Sequence, residues 1–171
     1  MIKSLLVLGC LATAPAAEAA RYVCETCNTN EKTTLSFMQD QGIKDRNALA
    51  VVLGNIRQES NFHPNICEGG ARVSYQNCRA GGYGLIQWTS TNRYLGLGRF
   101  AMKYGGDPST LNTQLRYLSN EQQWIKVLPA LKTSGQSIDW YMNKSYPWLG
   151  WGIHGARTRY AYQYANKLTV G

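Results

Sequence analysis

The chain has 171 residues, 44% hydrophobic and 11% aromatic, which excludes global disorder and suffices for one domain with its own core. Lys and Arg total 18 against 10 Asp and Glu, and the net charge of +8 points to an anionic partner: nucleic acid, a membrane surface or a cell-wall polymer. So few acids also restrict any carboxylate chemistry to a short set of candidates.

Residues 1–19 read as a secretory signal peptide. Lys3 supplies the positive start, residues 5–12 a short apolar stretch, and Ala17-Glu18-Ala19 the small-x-small cleavage pattern before Ala20. An N-terminal core helix and a lipoprotein acylated at Cys10 are the other readings. No stretch approaches the roughly 20 apolar residues of a membrane-spanning helix. The expected destination is therefore the periplasm or the exterior. Cleavage removes Cys10 and leaves Cys24, Cys27, Cys67 and Cys78, an even number that reads as disulfides in an exported chain. Spacing favours Cys67–Cys78 around residues 68–77, with Cys24–Cys27 as a local bridge. A zinc ribbon expects a second Cys-x-x-Cys, and a thioredoxin-like site expects βαβ patterning; neither is present. Residues 20–32 form a Cys-bearing arm ahead of one α-rich domain over 33–171.

Residues 33–41, with Leu35, Phe37 and Met38, predict a helix stopped by Gly42. The next starts at an Asp45 N-cap, repeats Leu49, Val52, Leu53 and Ile56 at helical spacing, and ends by His63-Pro64. Residues 65–82 lack periodicity and read as a loop, and residues 82–88 as a tight turn or short hairpin. A helix over 91–104 stops at Gly105-Gly106. Asp107-Pro108 predicts the cap and first-turn proline of another, with Leu111, Leu115 and Leu118 buried and the pattern continuing through Ile125 and Leu128. Residues 137–144 form a short helix carrying Trp140, and 146–155 a loop rich in Trp and Gly. A last helix has Tyr160, Ala161, Tyr164, Ala165 and Leu168 in phase.

Glu59 stands out chemically. It lies three residues after Ile56 and seven after Val52, in phase with the apolar stripe, in the last turn of its helix. Burial disfavours its charged form and the negative helix end acts in the same direction, so its pKa should rise, as a general acid requires. The plain alternative is a boundary glutamate paired with Arg57, Arg93 or another arginine. Gln114 and Glu121, in phase with Leu111 and Leu118, predict a shared buried polar network of structural character. Arg93 and Arg157 can serve Glu59, Glu121 or substrate carboxylates. There is no His-Glu-x-x-His, and His63 and His154 are the two histidines, so neither a metal nor another cofactor is expected. Nucleic-acid binding is disfavoured because only Arg157-Thr158-Arg159 clusters the positive charge.

The run Asn55-Ile56-Arg57-Gln58-Glu59-Ser60-Asn61-Phe62-His63-Pro64, followed by Gly82-Tyr83-Gly84-Leu85-Ile86-Gln87-Trp88-Thr89, resembles the core of the lysozyme-like superfamily. There a helix ending in Glu-Ser faces a glycine-led hairpin ending in Gln. The similarity is closest to the phage tail lysozyme family. It includes Gly54-Asn55, Arg93, Leu95, Gln114, Tyr117, Glu121, Trp140, Tyr146-Pro147 and Arg157 with Tyr160-Ala161, over about residues 34–168. The resemblance implies an α-rich (α+β) lysozyme-like fold with a short β-hairpin beside the active-site cleft. It implies that Glu59 protonates the β-1,4 bond between N-acetylmuramic acid and N-acetylglucosamine of peptidoglycan. Ser60, Tyr83, Gln87, Trp88, Thr89 and Arg93 are the expected substrate contacts, with a core place under the hairpin as the alternative for Trp88.

Hydrolases of this kind usually pair two carboxyls, about 5–5.5 Å apart when retaining and about 6.5–9.5 Å when inverting. Glu68, Asp107, Glu121 and Asp139 are available, and none carries a motif. A single-glutamate lytic transglycosylase, in which the muramic 6-hydroxyl attacks, is the alternative, as the Gly84-Leu85-Ile86-Gln87 run also suggests. A catalytically silent peptidoglycan-binding module is the non-enzymatic one. A leader suits an exported wall-cleaving enzyme of a secretion, conjugation or phage envelope-penetration machine.

Overall fold

The computed structural model describes residues 20–79 and 81–171; the expected signal segment, with Cys10, lies outside them. In chain order the described elements are β1 (Tyr22–Val23), α1 (Thr29–Asp40), α2 (Arg46–Ser60), α3 (Thr91–Tyr104), α4 (Leu111–Asn120), α5 (Gln122–Leu131), α6 (Ile138–Leu149), α7 (Arg157–Lys167) and β2 (Thr169–Val170). The architecture is the helix-rich α+β one expected.

Helix α1 starts earlier than residue 33. Asn28 accepts from the Glu31 amide while the Glu31 carboxylate accepts from the Asn28 amide, a reciprocal cap that satisfies two otherwise orphaned donors. The boundary expected after residue 32 thus falls inside a helix. The arm is built into the body: Cys24–Cys27 is a buried disulfide, and β1 pairs antiparallel with β2, Tyr22 opposite Val170.

Helix α2 is the centre of the molecule. Asp45 Oδ1 accepts from the amides of Asn47 and Ala48, and every residue from Ala48 to Ile56 is buried, as expected of a helix surrounded by others. It ends before His63-Pro64, because Asn61 and Phe62 take left-handed conformations at φ 47° and 62°. Helix α7 crosses α2 in backbone contact at Gly54: a Cβ there would lie 2.6 Å from the Ala161 nitrogen and 2.9 Å from the Arg157 carbonyl oxygen. Asn55 ties α2 to α6 by donating to Ser145 Oγ at 3.2 Å.

The loop after α2 carries a 3-10 turn at Tyr75–Asn77 and the Cys67–Cys78 disulfide, then folds into a minimal hairpin through bridges Cys67–Tyr83 and Tyr83–Trp88. Helix α3 has the expected bounds. The helix expected from Asp107 starts at Leu111 instead; Asp107 turns the chain by accepting from the Ser109 amide at 2.8 Å. The apolar pattern running through Ile125 is two helices, α4 and α5, because Glu121 is extended at φ −76° and ψ 139°. Helix α6 continues past Lys144 through Pro147 to Leu149 and stops at Gly150, φ 60°. Trp148 explains the extension: fully buried, it packs edge-on against Trp124 at 4.8 Å and anchors the last turn despite the lost amide.

Candidate active site

The last turn of α2, the hairpin, the start of α3, the end of α6 and the start of α7 enclose a cleft of about 660 Å³. Glu59 reaches it from α2, and Ile86, Gln87 and Thr89 from the hairpin. Ser90 and Arg93 follow from α3, and residues 149–153 with Arg157 complete the wall.

The Glu59 side chain is 15% exposed, and Arg157 Nη2 donates to its Oε1. Arg157 is held in turn, Nη1 donating to the carbonyls of His154 at 2.9 Å and Ile153 at 3.3 Å, with its guanidinium 4.9 Å from the centre of the Trp151 ring. Burial pushes the Glu59 carboxyl above the ordinary carboxylate range and outweighs the opposing charges of Arg157 and Arg93. Glu59 is thus paired with an arginine and still raised.

Ser60 does not face the cleft. It is buried, and its hydroxyl donates to the Leu85 carbonyl at 2.7 Å, bolting the helix end to the hairpin. Tyr83 and Trp88, expected along the sugar groove, are fully buried beneath the hairpin. Tyr83 Oη donates to the Val73 carbonyl at 3.1 Å, and Trp88 Nε1 to Glu121 Oε2 at 2.9 Å. The physical reason is that buried hydrogen-bond partners wait for both polar tips on the core side. Gln87, at φ 50°, and exposed Thr89 remain at the cleft, with Gln87 Nε2 donating to the Gly84 carbonyl at 3.0 Å.

Gln114 and Glu121 pin the hairpin from two separate places and do not share one network. Gln114 Oε1 accepts from the Leu85 amide at 2.8 Å, and its Nε2 donates to the carbonyls of Pro64 and Pro108 at 2.6 and 2.7 Å. Gly84, at φ 73°, is required here, because a Cβ would lie 2.5 Å from the Gln114 amide nitrogen. Glu121 takes Arg93 in a two-point pair at 2.8 and 2.9 Å besides Trp88. Removing the Glu121 carboxylate by Glu121→Ala leaves the Trp88 donor and a largely buried guanidinium without acceptors. A loss of about 3 kcal/mol in denaturant unfolding is expected, with Glu121→Gln recovering part of it; a loss below about 1 kcal/mol would contradict this role.

Among the described residues lining the cleft, Glu59 is the one carboxylate. Glu68 accepts from the Gly82 amide at 2.8 Å, Glu121 is committed as above, and neither Asp107 nor Asp139 lines the cleft. No group of three or more His, Cys, Asp or Glu able to hold a metal occurs among the described residues, and no helix among them is long and apolar enough to cross a membrane. Sequence reasoning missed Trp151 as a cleft aromatic, together with the segment around it. The concentration of Trp and Gly in that loop was the available signal.

Residues 29–168 match the phage tail lysozyme family. Over 103 residues the chain is 31% identical to morphogenesis protein 1 of Bacillus phage B103, a stretch covering 57% of this chain and 26% of that protein. The chain thus spans about a quarter of the length of this curated relative. No solved structure matches it. The family match encloses every residue lining the cleft, from Glu59 to Arg157, along with the Gln114 and Glu121 struts behind it. The chain belongs to the phage tail lysozyme family.

Proposed function

We propose that the protein cleaves the β-1,4 bond between N-acetylmuramic acid and N-acetylglucosamine in peptidoglycan, with Glu59 as general acid. One observation carries this reading: a mostly buried carboxyl, raised above its ordinary pKa, opens on a cleft large enough for sugar rings. Loaded, the neutral acid suits its buried setting. Once it has given its proton to the glycosidic oxygen, the carboxylate is stabilised by Arg157 on Oε1. Gln87, Thr89 and Arg93 offer polar contacts to acetamido and hydroxyl groups, and the half-buried Trp151 offers an aromatic face. Trp151→Ala should lower kcat/KM on purified peptidoglycan by roughly ten- to a hundredfold with the fold retained, read by turbidity loss; an unchanged value would remove Trp151 from the substrate wall.

The lack of a second carboxylate among the described lining residues favours a particular acceptor. With no partner acid among the described lining residues to activate water or to attack the sugar, the 6-hydroxyl of the muramic residue is the nucleophile at hand, giving its proton to the Glu59 carboxylate after that group has protonated the leaving oxygen. That outcome is a lytic transglycosylase. Mass spectrometry of the released fragments decides: 1,6-anhydro ends mean internal attack, and reducing N-acetylmuramic ends mean hydrolysis by water. A silent binding module would have no use for a protonatable, arginine-held carboxyl at the cleft. Two disulfides support export to an oxidising compartment, where the enzyme would open the wall locally for an envelope-crossing machine.

A further inference from the structure

A second groove, of about 320 Å³, runs along α3 beside the cleft. Its floor is aromatic: the Phe100 ring lies 4.9 Å from Tyr104 and 5.6 Å from Tyr117. Gly96 lets Tyr117 pack against α3, because a Cβ there would collide with the Tyr117 hydroxyl. Arg99 and Lys103 stand at its rim, both exposed, and no acid is among the described residues that line it. Arg116 adds a third cation, its guanidinium 5.5 Å from the centre of the Phe100 ring and donating to the carbonyls of Tyr104 and Gly105 at 3.0 and 3.1 Å. Arg99 and Lys103 are four residues apart on one helix, an arrangement of like charges that costs helix stability unless an anion sits between them.

The groove and the cleft are lined by successive turns of α3, Arg93 facing the cleft and Gly96, Arg99, Phe100 and Lys103 the groove. Tyr117 Oη donates at 2.9 Å to the carbonyl of Arg93, whose side chain lines the cleft. From residue 93 to residue 100 the helix advances about 10 Å, so an occupant of the groove lies within reach of whatever the cleft holds. We propose that this groove binds the stem peptide of the peptidoglycan strand whose glycan lies in the Glu59 cleft. The stem's carboxylates meet Arg99 and Lys103, and its short aliphatic side chains cover Phe100 and Tyr104. The inference rests on peptidoglycan being the substrate, and it gives the excess of positive charge a specific place of action.

The test uses Glu59→Gln protein, which should hold the polymer uncut, and that protein carrying Arg99→Gln with Lys103→Gln. Binding is measured by co-sedimentation with purified peptidoglycan freed of phosphate polymers, and with the same material stripped of its stems by an amidase. The double replacement should weaken binding to stem-bearing peptidoglycan about tenfold at low salt and leave binding to stripped glycan within about twofold, the difference shrinking as salt rises. Unchanged affinity for both polymers would overturn the proposal, as would an equal loss on both. The same assay is run on walls that keep their phosphate polymers, and a loss confined to those walls would overturn the proposal in favour of those polymers. If Glu59→Gln protein without the rim changes binds neither material, peptidoglycan is not the ligand and the proposal falls with that reading.

Discussion

Glu59→Gln is expected to cut release of muropeptides from peptidoglycan by about 10²–10⁴-fold while leaving the molecule folded and, at neutral pH, more stable than the parent. The two effects have one cause. Burial raises the Glu59 carboxyl above its ordinary range, so the folded protein holds a proton that the unfolded chain has already released. Stability then falls as pH climbs from the ordinary carboxylate pKa through the raised one, and the cost of the buried anion is fully present above it. Glutamine cannot ionise and avoids that fall. Thermal melting at several pH values should therefore show the variant and parent close together in acid and diverging, with the variant higher, as pH rises. Activity of the parent should decline over the same interval, as the acid loses its proton. A variant that is less stable at neutral pH than in acid, relative to the parent, would mean that Arg157 stabilises the anion more than burial penalises it.

Gly54→Ala is expected to destabilise by about 1–3 kcal/mol and to lower activity by more than the fraction unfolded explains. In an exposed helix the same change would add roughly 0.5–1 kcal/mol, so the sign is informative. At Gly54 the new methyl meets backbone atoms of Ala161 and Arg157, which have no flexible end to swing aside. The way out is for α7 to move off α2, and Arg157, the first residue of α7, then leaves the Glu59 carboxyl. Denaturant unfolding measures the first effect and activity of the folded fraction the second. An alanine variant as stable and active as the parent would show that α7 has freedom to shift.

Helical periodicity made α2, α3 and α7 legible, since each has enough turns for apolar residues to recur. Glu59 was legible for the same reason, because its place in the stripe of Val52 and Ile56 already predicts partial burial. What failed depended on contacts distant in sequence. The choice of Arg157 for Glu59 and Arg93 for Glu121 comes from the crossing of α7 over α2 and the packing of α3 beside α4. No local pattern encodes either. Tyr83 and Trp88 share a short hairpin with Gln87 and Thr89, and composition alone does not tell which face of so short a segment turns inward; waiting acceptors at Val73 and Glu121 decide it. The extension of α6 through Pro147 violates local preference and is bought by burial of Trp148. Strands β1 and β2 are two residues each, too short to show alternation.

The most direct measurement is mass spectrometry of the fragments that the parent and Glu59→Gln proteins release from the same purified peptidoglycan. New N-acetylmuramic ends, anhydro or reducing, are expected from the parent and none above background from the variant. Fragments cut only at peptide or amide bonds, or new muramic ends released equally by both proteins, would contradict it.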